Sequence, residues 1–257
     1  MPLAITSIDL NADVGESFGR YTLGNDQALL RVVTSASIAC GWHAGDPGVI
    51  RATMALAREA GVSVGAHPSF PDLQGFGRRE LQMAPDDLRD AVIYQVAAVA
   101  GLAAAEGVRL QHVKAHGALY NMACRDAGLA SAVVAGVVAF DASLAIYALP
   151  DSALSRAADA AGLPVMAEGF LDRQYEADGS LTPRAMPGAV IHDPAEAAGR
   201  AVAWMQTGEV ATRTGERLAL PVSALCVHGD TSGAVGLATA VREALKAAGV
   251  RVHCRRR

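Results

Sequence analysis

Short apolar runs alternate along the chain with longer stretches in which apolar residues recur every three or four positions. The runs predict strands over 5–11, 35–40, 62–66, 108–114, 144–149, 164–168 and 222–227. Helical stretches between them carry recognisable starts: Asp46-Pro47 before Val49–Ala60, Pro85-Asp86-Asp87 before Leu88–Glu106, and Asp193-Pro194 before Ala195–Gln206. Gly61, Gly107 and Gly249 stand where a helix has to stop. Such an order needs right-handed crossovers and a parallel sheet covered on both faces, which suits near-continuous apolar strands. The order predicts an α/β fold that a closed barrel and an open doubly wound sheet would both satisfy; 257 residues is near the usual size of a β/α barrel, and seven strand candidates suggest one a unit short of eight. One barrel domain over 1–257 is expected, with a polar, lid-like insertion around 169–190 that is too long for a plain connection.

Composition narrows the classes. Apolar residues make up 51% and charged residues 19%, which excludes disorder over most of the chain. A net charge of 22 − 26 = −4 and an aromatic content of 5% argue against nucleic acid as a partner; the basic tail Arg255–Arg257 is short. The apolar run Leu129–Phe140 is shorter than the roughly 20 residues a bilayer requires, so no membrane span is expected. The start lacks a charged segment followed by an apolar one, and a cytoplasmic location is the expectation. Cys40, Cys124, Cys226 and Cys254 lie far apart, without a Cys-x-x-Cys pair, which predicts reduced thiols. Phosphate-loop, dinucleotide and nucleophile-elbow glycine motifs are absent from the sequence.

In parallel α/β folds the active site is built at the carboxyl ends of the strands, and here those ends are polar. Asp9, Asn11 and Asp13 alternate along the first strand and share one side. His43, His67 and His228 follow three other strands, and imidazole serves both as a metal ligand and as an acid or base near neutral pH. His112, Lys114 and His116 alternate on the fourth strand; a lysine there needs an anion, either a substrate group or a partner such as Asp13 or Glu168. Asp46 and Asp230 precede helices, where capping competes with a direct role. In the insertion, Asp172, Arg173 and Arg184 could orient a carboxylate or instead hold the insertion together by their own pairs. Arg78 and Arg79, in a glycine-bearing loop, are expected to be solvated.

The strings 9–16 (DLNADVGE), 39–46 (ACGWHAGD), 65–69 (GAHPS), 113–121 (VKAHGALYN) and 227–230 (VHGD) together resemble the LamB/YcsF family, over about residues 8–249. The resemblance implies a seven-stranded β/α barrel of the glycoside hydrolase/deacetylase type. It also implies the ATP-dependent opening of 5-oxoproline to glutamate by a 5-oxoprolinase, in which this chain is the A subunit and works with the B and C subunits. Asp13, Glu16, His43, His67, Lys114, His116, His228 and Asp230 fall on the family's motif positions. Ala115 departs from the usual proline, and the sequence before Asp172-Arg173 is less typical.

A lactam is slow to hydrolyse, and phosphorylating its amide oxygen with ATP would activate the ring carbon towards water. On this expectation Asp13, with His67, acts as the base, Lys114 and His116 neutralise the oxygen, and His228 delivers a proton to nitrogen. Glu16 joins that catalytic set, Arg173 or Arg184 holds the substrate carboxylate, and Asn11, Asp172 and Asp230 complete the binding set. The rival expectation is a stand-alone metal hydrolase of acylated amides or sugars, with Asp13, His43 and His67 as ligands of a divalent ion.

Overall fold

The computed structural model describes residues 5–254, so the Arg255–Arg257 tail lies outside the described residues. The strands are β1 (Ser7–Val14), β2 (Ser35–Ala39), β3 (Ser63–His67), β4 (Leu110–Val113), β5 (Ala145–Ala148), β6 (Val165–Phe170), β7 (Glu209–Ala211), β8 (Arg217–Ala219), β9 (Ala224–His228) and β10 (Arg251–Val252). β1 to β6 pair in sequence, all parallel, β9 pairs with β6, and β9 also pairs with β1. This closes the seven-stranded barrel that the pattern predicts. β7 and β8 form an antiparallel hairpin outside it, and β10 adds to the start of β1.

The helices are α1 (Asp26–Leu29), α2 (Pro47–Ala60), α3 (Pro85–Ala105), α4 (Gly117–Arg125), α5 (Ala127–Asp141), α6 (Ala153–Ala160), α7 (Pro194–Thr207) and α8 (Ala234–Ala247). Asp46 caps α2 by accepting from the amides of Gly48 and Val49, and Asp193 caps α7 through Ala195. α2 stops at Gly61 and α7 at Gly208, both in the left-handed region that glycine tolerates. α3 starts at Pro85, earlier than the apolar pattern indicates, because proline is pre-shaped for a first turn. Asp230 is not a cap: α8 begins after Gly233.

α4, α5 and α6 lie outside the predicted pattern. The run Leu129–Phe140 sits within α5, which packs against α3, α4 and α6; Val133, Val134 and Val137 are buried there. Gly136 lets α3 approach, since a Cβ there would stand 2.8 Å from that of Val92. By length and composition alone α3 is apolar enough to cross a membrane; in the structure it lies along the barrel against β3, β4, α2 and α5. The carboxyl ends of the parallel barrel strands feed loops on one rim, where the polar residues collect.

Candidate active site

The barrel lumen is a ladder of polar side chains. β1 runs three residues past its predicted end, and Asp9, Asn11 and Asp13 all point inward in it, buried. Asp9, the lowest, accepts from the hydroxyls of Thr34 (2.6 Å), Tyr147 (2.7 Å) and Ser35, a self-contained structural cluster. His112 lies at the same depth, 3.2 Å from Ser37 Oγ and tilted against the Tyr147 ring. Burial, then the charge of Lys114, pushes its pKa down to about 3, so it is neutral. Gly65 makes room for it: a Cβ there would lie 2.2 Å from His112 Cδ2.

Lys114 forms the next rung. Its Nζ lies 2.9 Å from Asp13 Oδ1 and 2.9 Å from Glu168 Oε1, and it donates to Asn11 Oδ1 at 3.3 Å and Cys226 Sγ at 3.0 Å. Both salt-bridge partners that the sequence offered are therefore used at once. Burial opposes the ammonium, yet Asp13, Cys226 and Glu168 raise its pKa well above the ordinary lysine value. Burial likewise opposes the Asp13 carboxylate, which the charges of His67 and Lys114 nevertheless hold well below its usual range. Asn11 also donates to Leu225 O and lies beneath Lys114.

Towards the mouth, four buried side chains converge. One possible ligand atom from each of Glu16, His43, His67 and His116 lies within 4.8 Å of all the others. His67 Nδ1 donates to Lys114 O at 2.7 Å, and His116 Nε2 donates to Phe76 O at 2.8 Å. When both rings are neutral, these commitments leave His67 Nε2 and His116 Nδ1 facing each other at 3.0 Å as lone pairs. Two lone pairs repel unless a proton or a cation joins them. His43 stacks on His116 with centroids 3.7 Å apart, places Nε2 3.2 Å from Glu16 Oε1, and leaves Nδ1 without a hydrogen-bond partner. Burial, then neighbouring imidazole charge, keeps His43 and His116 well below the usual histidine pKa, whereas burial and Asp13 raise that of Glu16. An N₃O donor set, with the outward N–H groups of His67 and His116 on backbone carbonyls, fits a zinc-like cation. Asp13, expected among the ligands, places Oδ2 3.4 Å from His67 Nε2 and Oδ1 2.9 Å from Lys114 Nζ.

A loop from Asp72 to Arg79 covers this cluster. The Phe76 ring meets His43 and His116 edge-on, and Phe76 adopts a left-handed φ of 55°. Gly77 follows because a Cβ there would crowd His116 and His43. Asp72 fastens the loop by accepting from Gly75 N at 3.0 Å and Arg79 Nε at 2.8 Å. Arg78, expected in solvent, lies over the Phe76 ring and donates to Asp230 at 2.7 Å.

His228 stands beside Asp13, its partner in the β1–β9 register. Its Nδ1 is 2.9 Å from each oxygen of Asp172, and its ring stacks on Phe170. Lys114 Nζ lies 5.2 Å from the centroid of that same ring. Asp172, expected to touch substrate, is instead fully buried under His228. A cleft of about 750 Å³ opens here, lined by Asp13, His67, Lys114, His116 and His228 and, from the segment after β6, by Arg173 and Arg184. Arg173 donates to Thr182 O at 2.6 Å and leaves Nε unpaired. Burial and the nearby Arg184 charge pull its pKa down to about 10. Tyr120, Phe170 and Arg78 line the cleft as well, without having been expected there; Tyr120 lies in the 113–121 string, whereas Phe170 and Arg78 lie outside the strings.

A closed parallel barrel with buried acids, bases and a lysine at the carboxyl-end mouth defines a barrel enzyme. The LamB/YcsF family model matches residues 8–257, and the chain belongs to the LamB/YcsF family. It is 52% identical over 246 residues to the 5-oxoprolinase A subunit of Methylococcus capsulatus, covering 96% of this chain and 95% of the relative. To the protein of the same name from Pyrococcus abyssi it is 49% identical over 245 residues, covering 95% and 96%. Among solved structures, the lactam utilization protein of Thermus thermophilus superposes with a TM-score of 0.91 at 46% identity, covering 96% of this chain and 99% of that one.

Proposed function

We propose that this chain opens the ring of 5-oxoproline to glutamate as the A subunit of an ATP-dependent 5-oxoprolinase that also requires B and C subunits. The observation that carries the proposal is identity near 50% along almost the whole chain to relatives named for that subunit. The cleft supplies groups suited to the chemistry. ATP transfers a phosphoryl group to the amide oxygen, water attacks the ring carbon, and the C–N bond breaks to give an amine and an acyl phosphate. A second water then releases phosphate. Asp13, with its lowered pKa, is a poor proton acceptor and balances Lys114; His67, held by its Nδ1–H on Lys114 O, takes the proton of the attacking water at Nε2. Lys114 faces the oxygen on which charge develops, and His228 protonates the leaving nitrogen; His116, neutral and with its N–H on Phe76 O, has no hydrogen to offer that oxygen. Arg173 and Arg184 hold the substrate carboxylate, and the segment around 169–190 covers it.

A second reading rests on the opposed lone pairs of His67 and His116. Glu16, His43, His67 and His116 would hold a divalent cation, which when bound would polarise the amide carbonyl as a Lewis acid. The deciding experiment is glutamate release from 5-oxoproline by the purified chain, with and without ATP, alone and with candidate B and C subunits. Release only with ATP and both partners supports the proposal. Metal-dependent hydrolysis by the chain alone supports the second reading.

A further inference from the structure

Asp172 and His228 form a pair on one flank of the cleft. β6 and β9 are neighbours with Phe170 opposite Cys226, so the residues two further along, Asp172 and His228, meet where the strands end. Asp172 is fully buried, and both of its oxygens lie 2.9 Å from His228 Nδ1; one of them also accepts the backbone N–H of His228 at 3.2 Å. An ionised carboxylate has no proton to give, so Nδ1 carries the hydrogen and donates it. Nε2 is then the ring nitrogen left for the cleft, which His228 lines. Stacking of the imidazole on Phe170, 22° from parallel, fixes its plane.

We propose that Asp172 is a positioning residue that locks His228 in the Nδ1–H tautomer, so that Nε2 alone exchanges a proton with the leaving nitrogen of the lactam. The catalytic part of this statement rests on the proposed ring opening; the tautomer part does not. In the acid form His228 carries hydrogens on both nitrogens, transfers the Nε2 hydrogen to the ring nitrogen as the C–N bond breaks, and is left neutral with Nδ1–H still on Asp172. The proton of the attacking water, taken up at the base, restores the balance through solvent. The carboxylate accepts from Nδ1–H before and after the transfer, so the ring keeps its orientation through each cycle.

Asparagine at position 172 would test this. Its single carbonyl oxygen would be claimed by the His228 backbone N–H, and its NH₂ would turn towards Nδ1, reversing the tautomer. ¹⁵N chemical shifts of labelled histidine in the full chain, with the His228 signal identified by its loss in His228→Gln, read the tautomer without any substrate. The expected result is Nδ1–H in the wild type and Nε2–H in Asp172→Asn. In the reconstituted complex, the same variant should lower kcat at least about 100-fold with KM within about threefold, and Asp172→Glu should recover part of the loss. Nε2–H in the wild type would overturn the proposal, as would a reversed tautomer with kcat unchanged. If the wild-type complex released no glutamate, the ring-opening assignment would fall while the shifts still decided the tautomer.

Discussion

Lys114→Met is the substitution whose consequences follow most directly from the structure. The ammonium is 2% exposed and lies 2.9 Å from each of two buried carboxylates, Asp13 and Glu168. At an effective dielectric of about 20, each contact is worth about 6 kcal/mol of gross attraction. Desolvation of three ions, at several kcal/mol each, offsets most of it. Methionine fills the same space but leaves two carboxylates without a counter-charge, so the expected loss is about 3–5 kcal/mol. Glu168→Gln alone should also destabilise the wild type, because it removes one of the two anions that hold the lysine. In the Lys114→Met background the same change should become stabilising, by about 1–2 kcal/mol, since it removes one unpaired charge. Urea denaturation of the four proteins at pH 7 reads this sign reversal as a shift in midpoint. A cost below about 1 kcal/mol for Lys114→Met, or a Glu168→Gln effect of one sign in both backgrounds, would refute the reasoning.

Gly65→Ala would drive a methyl group into the buried ring of His112; a loss of about 1–3 kcal/mol or more is expected, seen as a lower thermal midpoint. Asp172 has its pKa lowered in the folded chain, its burial outweighed by the charge and hydrogen bond of His228. Its contribution is therefore present above the unfolded carboxylate pKa of about 4 and is lost as pH falls through the folded value. The stability gap between wild type and Asp172→Asn should accordingly be wide at pH 7 and narrow at pH 3 in denaturant titrations; a constant gap would contradict this. Cobalt(II) added to the chain should bind one equivalent and give a visible d–d spectrum that Glu16→Gln and His116→Ala weaken and Asp230→Asn leaves unchanged.

The barrel itself was legible because buried parallel strands and capped helices leave strong local marks, such as Asp46-Pro47 and Gly61 around α2. The alternation of Asp9, Asn11 and Asp13, and of His112, Lys114 and His116, also placed the lumen residues on the correct face. Alternation says nothing of depth, however. Asp9 and His112 lie low in the barrel and serve structure, whereas Asp13 and His116 lie at the mouth. Residues in loops were the harder case. Arg78 reaches Asp230, 152 positions away, through a turn that needs left-handed Phe76 and Gly77, and no periodic pattern encodes that. The roles of Asp172 and Asp230 changed for the same reason, since their partners are fixed by strand register and loop path. The helix α5 carries apolar residues on several faces and so lacks the one-sided stripe that marks α2, whereas α4 and α6 have such a stripe but are only nine and eight residues long.

The central claim is that the groups at this barrel mouth open the lactam ring, rather than that the chain merely holds its partners together. Replacing the chain by its His67→Gln variant in the reconstituted complex tests it most directly, with assembly checked by size-exclusion chromatography and glutamate release from 5-oxoproline as the readout. Intact assembly with glutamate release at least about 100-fold slower is the expected result. Intact assembly with release at the wild-type rate would contradict it.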